Sequence, residues 1–121
     1  MSSKHGSHWL EREDFGGVTV VRLKPHKNVD DDTTRAVFDP IYSLVDAVGR
    51  NNLVLNLGAA EYLPSLALGK LVLLNRKAQA GNGRLALCQV SPPVESSLDS
   101  TDLKPLFHIY ATEQEAVQSF S

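Results

Sequence analysis

The sequence predicts a single α/β domain with a mixed, mostly parallel β-sheet, an antiparallel N-terminal edge and about four helices. Three observations lead to this fold class. Two β-prone runs flank Gly16-Gly17, which is typical of a hairpin. Helical and extended segments then alternate to the end of the chain, as they do in parallel sheets. The runs 53–57 and 85–88 are short and nearly continuously apolar, as in strands that are covered on both faces.

The first predicted helix follows a loop at residues 24–32. Apolar residues recur at helical spacing on one of its faces: Val37, Ile41, Leu44 and Val48. Pro40 has no N–H to donate, so we expect either a helix start at Pro40 with Asp39 as N-cap, or a kink at that position. Gly49 is expected to end the helix.

The later elements are indicated by capping residues and turn residues. A second helix is expected over residues 65–80, because it follows a proline and precedes the Gly-Asn-Gly turn at 81–83. Ser91 stands before two prolines, which is the order of an N-cap and the first residues of a third helix. Residues 106–110 are predicted to form the last strand, and residues 112–115 match a capping box that begins a terminal helix.

The second predicted helix has two distinct apolar faces. At about 100° per residue, four residues share the face that should meet the sheet: Ala67, Leu71, Leu74 and Ala78. Leu66 and Leu73 fall on the opposite face, beside Lys70 and Lys77. Scattered exposed leucines are normal on protein surfaces, whereas a contiguous stripe indicates a docking surface. The sequence leaves both interpretations of this face open.

Composition limits the classes of function that the chain can have. The chain has 121 residues, of which 42% are apolar and 21% are charged, as expected of one globular domain. A net charge of -2 argues against nucleic acid or an anionic membrane as the partner. No apolar stretch reaches the roughly 18 residues of a membrane span. We expect a cytoplasmic protein, with a mobile segment at residues 1–7 and a domain at 8–121.

The chain lacks the residue patterns of a catalytic or metal site. Cys88 is the only cysteine and lies in an apolar run, which indicates a buried structural thiol. The four histidines have no partners at metal-ligand spacing, and the three aspartates at 30–32 are typical of a solvated loop. No phosphate-binding loop and no nucleophile elbow is present. We therefore predict no cofactor, no metal and no enzymatic activity.

The segment 53–74, LVLNLGAAEYLPSLALGKLVLL, resembles the signature segment of STAS domains, the family of anti-sigma factor antagonists. In that family an apolar strand ends in a loop, and a serine follows at the start of an apolar helix. Residues 18–30 resemble the family's second strand and its turn, which ends here in Val29-Asp30. The similarity extends over about residues 8–118, and it implies the STAS fold.

The resemblance also implies a function. Bacterial antagonists of this family bind an anti-sigma factor that is also a protein kinase, and the kinase phosphorylates the serine at the helix start and so releases the antagonist. By position, that serine is Ser65. The candidate partner-binding residues are Asp30, Pro64, Leu66, Ala67, Lys70 and Leu73.

Four residues depart from the family pattern. Pro64 and Ala67 stand where the family often has Asp and Gly, Asn56 where the strand often carries Asp, and Lys27 where the turn often carries Gly. The alternative function is therefore a STAS scaffold without phosphorylation, or an accessory subunit docked on an ABC-type transporter ATPase. The sequence leaves open whether the chain also forms a homodimer, and it predicts no nucleic-acid partner.

Overall fold

The computed structural model describes residues 2–6, 9–25 and 30–120, and within these ranges it shows six strands and four α-helices. The strands lie in the sheet in the same order as in the chain, with antiparallel pairing among the first three and parallel pairing from the third to the sixth. The elements are β1 (Ser2–Gly6), β2 (Leu10–Phe15), β3 (Val18–Leu23), α1 (Asp31–Asp46), β4 (Asn52–Asn56), α2 (Ser65–Ala80), β5 (Arg84–Cys88), α3 (Pro92–Ser100), a 3-10 helix (Lys104–Leu106), β6 (His108–Tyr110) and α4 (Glu113–Gln118).

The predicted fold class is confirmed. β2 and β3 form the hairpin around Gly16-Gly17, where Gly16 has a φ of 61°, a left-handed conformation that glycine adopts without strain. β4 and β5 are parallel neighbours in which Leu53 pairs with Leu85. β4 in turn lies between β3 and β5. Both apolar runs are therefore interior strands, as their sequence predicts.

The sheet has a core on each face. Helices α1, α2 and α3 cover one face, where the strands and helices contribute Leu55, Leu87, Ile41, Leu71 and Leu98. Helix α4 covers the other face, where the core consists of Val18, Val20, Val54, Ala86, Cys88 and Ala116. Along β4, Leu53 and Leu55 point toward the three helices and Val54 points toward α4. The central residues of a strand covered in this way, here Leu53 to Leu55, are apolar because both of its faces are buried.

Helix α1 begins earlier than predicted. Its N-cap is Asp30, whose Oδ1 accepts a hydrogen bond from Thr33 N at 2.8 Å. Pro40 lies inside the helix, so the predicted start with Asp39 as N-cap is wrong. Pro40 is exposed, so water can hydrogen-bond the backbone carbonyl that loses its partner. The aspartates after Asp30 belong to the first helical turn, where the helix dipole favours negative charge.

Helix α1 also ends earlier than predicted. It ends at Asp46, and Gly49, with a φ of 77°, lets the chain turn back. Arg50 N donates a hydrogen bond to Leu44 O at 2.8 Å within this turn. Val48 follows the last helical residue and is 57% exposed, so the prediction that it lies on the core face of the helix is wrong.

The segment at residues 1–7, which is expected to be mobile, contains a short strand. Ser2–Gly6 forms β1 and pairs antiparallel with β2 at the edge of the sheet. Such an edge pairing rests on backbone hydrogen bonds, and a polar run without apolar alternation does not reveal it. His8 lies outside the described residues, as do Lys27 and Val29 of the predicted turn.

The C-terminal elements follow the predicted order. α3 begins directly after Ser91, which is its N-cap. α4 begins after Thr112, whose hydroxyl oxygen accepts a hydrogen bond from Glu115 N at 3.1 Å, as the capping pattern predicts. One boundary differs, because Leu106 belongs to the 3-10 helix and β6 is shorter than the predicted strand.

Charged and polar side chains attach α4 to the sheet. Arg22 of β3 donates hydrogen bonds to both carboxylate oxygens of Glu113, among them Nε to Oε2 at 2.9 Å and Nη2 to Oε1 at 2.6 Å. Asn56 Nδ2 of β4 donates to Glu113 Oε2 at 2.8 Å. The hydrogen bonds from Arg22 hold the pKa of the Glu113 carboxyl below its ordinary value, although burial acts in the opposite direction. Beyond the end of the helix, Arg84 Nη2 donates to Ser119 O at 2.9 Å.

Replacing Glu113 with Gln is expected to destabilise the protein by about 1 kcal/mol near neutral pH, a charge-assisted hydrogen-bond contribution discounted for partial exposure. The carboxylate's contribution is fully present above its unfolded-state pKa of about 4.3 and is lost as the pH falls through the lower folded-state pKa. Urea unfolding at a series of pH values measures the effect, and the difference between wild type and variant should close in acid. Glu115→Gln, exposed on the same helix, is the control. A difference that is constant with pH would contradict this prediction.

Candidate functional site

Ser65 is the first residue of α2, and its side chain is exposed. Pro64 holds the N-cap position with extended backbone angles, and Leu68 N donates the first helical hydrogen bond to Pro64 O at 3.1 Å. Ser65 is therefore not an N-cap, although its place at the helix start is the one predicted. Its hydroxyl makes no hydrogen bond to the residues that the structure describes. The hydroxyl is thus open to solvent and free of a structural role.

Hydrogen bonds at its start and in its middle hold the loop between β4 and α2. Asn56 Oδ1 accepts a hydrogen bond from Gly58 N at 2.8 Å, directly after the strand. The Ser91 hydroxyl donates to Ala60 O at 3.3 Å, which joins the middle of the loop to the start of α3. Proline disfavours helical backbone in the residue before it, which favours a start of α2 at Pro64 and not earlier. These constraints fix where Ser65 is presented.

A cavity of about 630 Å3 lies between this loop and the first turns of α1, at the carboxyl ends of β3 and β4. Ligands of parallel sheets commonly bind at this edge. Tyr62 lines the cavity and is 57% exposed, so it lies at the opening. Most other lining residues are apolar, among them Leu23, Val37, Phe38, Leu63, Pro64 and Ala67. Since Ser65 directly follows Pro64, the serine and the cavity are adjacent.

The inner face of α2 meets the sheet as predicted. The four residues of the predicted stripe are all buried: Ala67, Leu71, Leu74 and Ala78. Ala67 is also one of the predicted partner contacts, yet it is only 3% exposed. A partner can therefore reach Ala67 only through the cavity that it lines, and the predicted partner contact of Ala67 stays a prediction that depends on this cavity.

One flank of α2 packs toward α1. The Tyr42 hydroxyl donates a hydrogen bond to Lys70 O at 2.8 Å. Lys70 Nζ and Lys77 Nζ lie 5.4 Å and 5.6 Å from the centre of the Tyr42 ring, where a cation interacts favourably with an aromatic face. Leu66, on the same flank by helical spacing, is half-buried. The sequence predicts that Leu66, Lys70 and Lys77 lie on the solvent face of α2. In the structure these three residues instead border α1.

Four exposed residues of α2 lie on one side of the helix, and we call this side the outer face: Ser65, Gly69, Leu73 and Arg76. Leu73 is 45% exposed, as its predicted position on a solvent face requires. Gly69 and Arg76 are not among the residues predicted for this site. Helical spacing from Ser65 would have found both, because residues four and eleven positions further on lie on nearly the same side of a helix.

The predicted partner-binding residues thus lie in separate places. Asp30 caps α1, whose first turns border the cavity. The others are Pro64 and Ala67 at the cavity, Leu66 and Lys70 on the flank toward α1, and Leu73 on the outer face. Ser65 lies where the cavity and the outer face meet, because it follows Pro64 and begins the helix.

Metal-ligating and nucleophilic side chains were located over the described part of the chain. No three His, Cys, Asp or Glu side chains there come together in a way that could hold a metal ion. Burial, and secondarily the charge of Glu113, raises the pKa of the buried Cys88 thiol to about 12, so the thiol is protonated at neutral pH and is a poor nucleophile. None of the helices in the described ranges is long and apolar enough to span a bilayer.

Comparison with known proteins identifies the family. The sequence model of the STAS domain family matches residues 10–116, which include the sheet from β2 to β6. An anti-sigma F factor antagonist of Paenibacillus polymyxa is 30% identical over 112 residues, which cover 89% of this chain and 91% of that protein. The chain therefore belongs to the STAS domain family.

Solved structures of anti-sigma factor antagonists have the same fold. One from Mycobacterium paratuberculosis has a TM-score of 0.76 at 25% identity, covering 98% of this chain and 93% of that one. SpoIIAA in its unphosphorylated form has a TM-score of 0.76 at 21% identity, covering 92% and 95%. Bacillus SpoIIAA in its phosphorylated form has a TM-score of 0.70 at 19% identity, covering 93% and 99%. Antagonists of this family are regulatory proteins and not enzymes.

Cys88 is expected to react with Ellman's reagent far more slowly in the folded protein than after unfolding, because the thiol is buried and protonated. Absorbance after addition of the reagent near pH 8 measures this difference. Guanidinium chloride should release one reactive thiol per chain, since the sequence holds one cysteine. Fast and stoichiometric labelling of the folded protein would show that the placement of Cys88 in the core is wrong.

Proposed function

We propose that this chain is an anti-sigma factor antagonist that binds a kinase-type anti-sigma factor through the start and the outer face of α2, and that phosphorylation of Ser65 ends this binding. The observation that carries the proposal is the exposed hydroxyl of Ser65 at the first position of α2. In the family that this chain resembles, the phosphorylated serine lies at this position. The antagonist of Paenibacillus polymyxa and the phosphorylated form of SpoIIAA support the proposal.

A phosphate on Ser65 is compatible with the fold. Phosphorylation adds about -1.5 to -2 charges at pH 7. The N-terminus of a helix stabilises an anion, because its backbone N–H groups are free and the helix dipole is positive there. Since the Ser65 hydroxyl makes no hydrogen bond to the described residues, no structural contact is lost. The phosphate therefore acts on the interface and not on the domain.

At the interface the same phosphate is unfavourable. A dianion at the start of the outer face must be desolvated before a partner can cover that face, and desolvating an unpaired charge costs several kcal/mol. It also repels acidic groups of a partner. Phosphorylation thus acts as a block to docking, without a conformational change. The chain is the substrate of the kinase in this mechanism and has no catalytic activity of its own.

A second function is favoured by Pro64 and Ala67. Pro64 is the N-cap and fixes the backbone in front of Ser65, whereas the family often has Asp there; Ala67 is buried where the family often has Gly. The second function is a STAS scaffold, or an accessory subunit of an ABC-type transporter ATPase, that docks through the same helix without phosphorylation. Phosphate transfer to Ser65 distinguishes the two functions.

Two substitutions of Ser65 test the switch. Ser65→Ala should bind the kinase-type anti-sigma factor encoded nearest to this chain's gene as tightly as the unphosphorylated protein, and it should remain bound when ATP is added. Ser65→Asp should bind at least about tenfold more weakly, which corresponds to roughly 1.4 kcal/mol. Isothermal titration calorimetry measures both affinities, and mass spectrometry after incubation with kinase and ATP locates the phosphate.

Ser96→Asp is the matched control, because Ser96 is exposed on α3 and away from α2. It should bind as the wild type does. If Ser65→Asp binds like the wild type and no phosphate appears on Ser65, the chain is an unswitched scaffold. The same titrations with the ABC-type ATPase would then identify which partner the scaffold holds.

Leu73→Asp tests whether the outer face is the docking surface. Leu73 is 45% exposed, so the substitution should change the free energy of unfolding by less than about 0.5 kcal/mol. Partner binding should weaken by about 2 kcal/mol, the effect of removing an apolar anchor from an interface. Val48→Asp, at an exposed residue near the end of α1, should leave binding unchanged. Unchanged binding of Leu73→Asp would exclude the outer face.

A further inference from the structure

Gly69 occupies a position where the fold does not require a glycine. It is exposed, it lies within α2, and its φ is not in the left-handed region. A Cβ atom built on Gly69 meets no atom within 4 Å outside its own helix backbone. At Gly83, by contrast, a Cβ atom would overlap the backbone of Asn51. The chain's own packing therefore explains Gly83 and leaves Gly69 unexplained.

A glycine inside a helix lowers the stability of that helix relative to alanine, because glycine loses more backbone entropy on folding. Glycine is also the residue that lets a second backbone or side chain come closest to a helix. Gly69 lies one turn after Ser65 and one turn before Leu73 on the outer face. The face therefore has a depression at Gly69, bordered by an exposed leucine and by the proposed phosphoacceptor.

The charge of α2 indicates what can cover this face. The chain has 12 basic and 14 acidic residues, yet α2 contains Lys70, Arg76 and Lys77 and no acidic residue. Lys77 pairs with Asp46 at 2.8 Å. Neither Lys70 nor Arg76 forms an ion pair with a carboxylate in the described part of the chain. The helix is thus a positive element in a chain of net charge -2, and it is complementary to an acidic partner.

We propose that Gly69 is a close-approach point, at which an acidic segment of the partner packs directly against the backbone of α2 and places its carboxylates near Arg76 and Lys70. This inference rests on the proposed function and specifies the chemistry of its partner. A second copy of this chain fits the face less well, because two α2 helices placed face to face would bring only positive charges together. A phosphate on Ser65 lies one turn from the contact, where it obstructs the approach and repels the acidic segment.

Gly69→Ala separates stability from binding. The variant should raise the thermal unfolding midpoint by about 3–5 °C, because alanine is the better helix former. It should nevertheless weaken binding to the kinase-type anti-sigma factor by about tenfold, and Gly69→Leu should abolish binding while the circular dichroism spectrum stays native. Gly17→Ala is the matched control, since a Cβ atom at Gly17 also meets nothing within 4 Å and this residue lies in the hairpin. It should bind as the wild type does.

The acidic nature of the partner is tested by charge and salt. Arg76→Glu should weaken binding by at least about tenfold, and raising the salt concentration should weaken wild-type binding, since salt screens complementary charges. Arg35→Glu, an exposed arginine on α1, is the control. If neither Arg76→Glu nor added salt changes the binding affinity, the proposal that the partner segment is acidic is overturned. Sedimentation velocity of the chain alone tests self-association, and a dimer that Gly69→Leu dissociates would replace the partner with a second copy.

The outcomes distinguish this inference from the proposed function. If the wild type binds the kinase and Gly69→Ala binds equally well, close approach is overturned while the proposed function stands. If Gly69→Ala binds weakly but Ser65→Asp binds like the wild type, the phosphorylation switch fails and the docking point stands. If the wild type binds the ABC-type ATPase instead, the same variants are measured with it. A wild type that binds neither protein and remains monomeric overturns both.

Discussion

The burial of β4 on both faces, between two parallel neighbours, is the constraint on which the rest of the structure depends. Leu53, Val54 and Leu55 are each at most 1% exposed, and burial of each side chain contributes about 1.5–3 kcal/mol. Parallel strands can be joined only by crossover connections, so α1 and α2 both begin at the carboxyl edge of the sheet. The cavity and Ser65 lie at this edge for the same reason.

The sequence predicted correctly those strands and helices in which the spacing of apolar residues matches the buried side chains. The sequence correctly placed the apolar run at 53–57 and the stripe through Leu71 and Leu74. Side chains that face a core are apolar, so their spacing in the sequence shows which side of a strand or helix is buried. The start of α1 was left open between Pro40 and the end of the predicted loop at 24–32. Pro40 is a strong local signal for a helix start, but Asp30 caps the helix nine residues earlier and the packing of Val37 and Ile41 holds it together. Tertiary packing outweighed the local preference of one residue.

The candidate site was predicted only in part, because contacts between distant segments leave no local pattern in the sequence. Ser65 was found from the family pattern, and Leu73 from helical spacing. Helical spacing predicts one buried face for α2, against the sheet, and this places Leu66 and Lys70 on the solvent face. A helix that packs on a sheet and also on a neighbouring helix has a wider buried arc. The contact with Tyr42 is between distant segments, and no local pattern of residues reveals it.

The attachment of α4 has a consequence for the dynamics of the second face of the sheet. This helix has only six residues, and it is held by the burial of Ala116, by Glu113 near its start and by the bond from Arg84 beyond its end. Segments with few buried contacts detach at a lower free energy than the whole domain unfolds. Detachment would uncover Cys88 while β4 and the three helices on the first face stay folded. The slow labelling rate of the Cys88 sulfur would then report how often α4 detaches from the sheet, separately from the global unfolding of the protein.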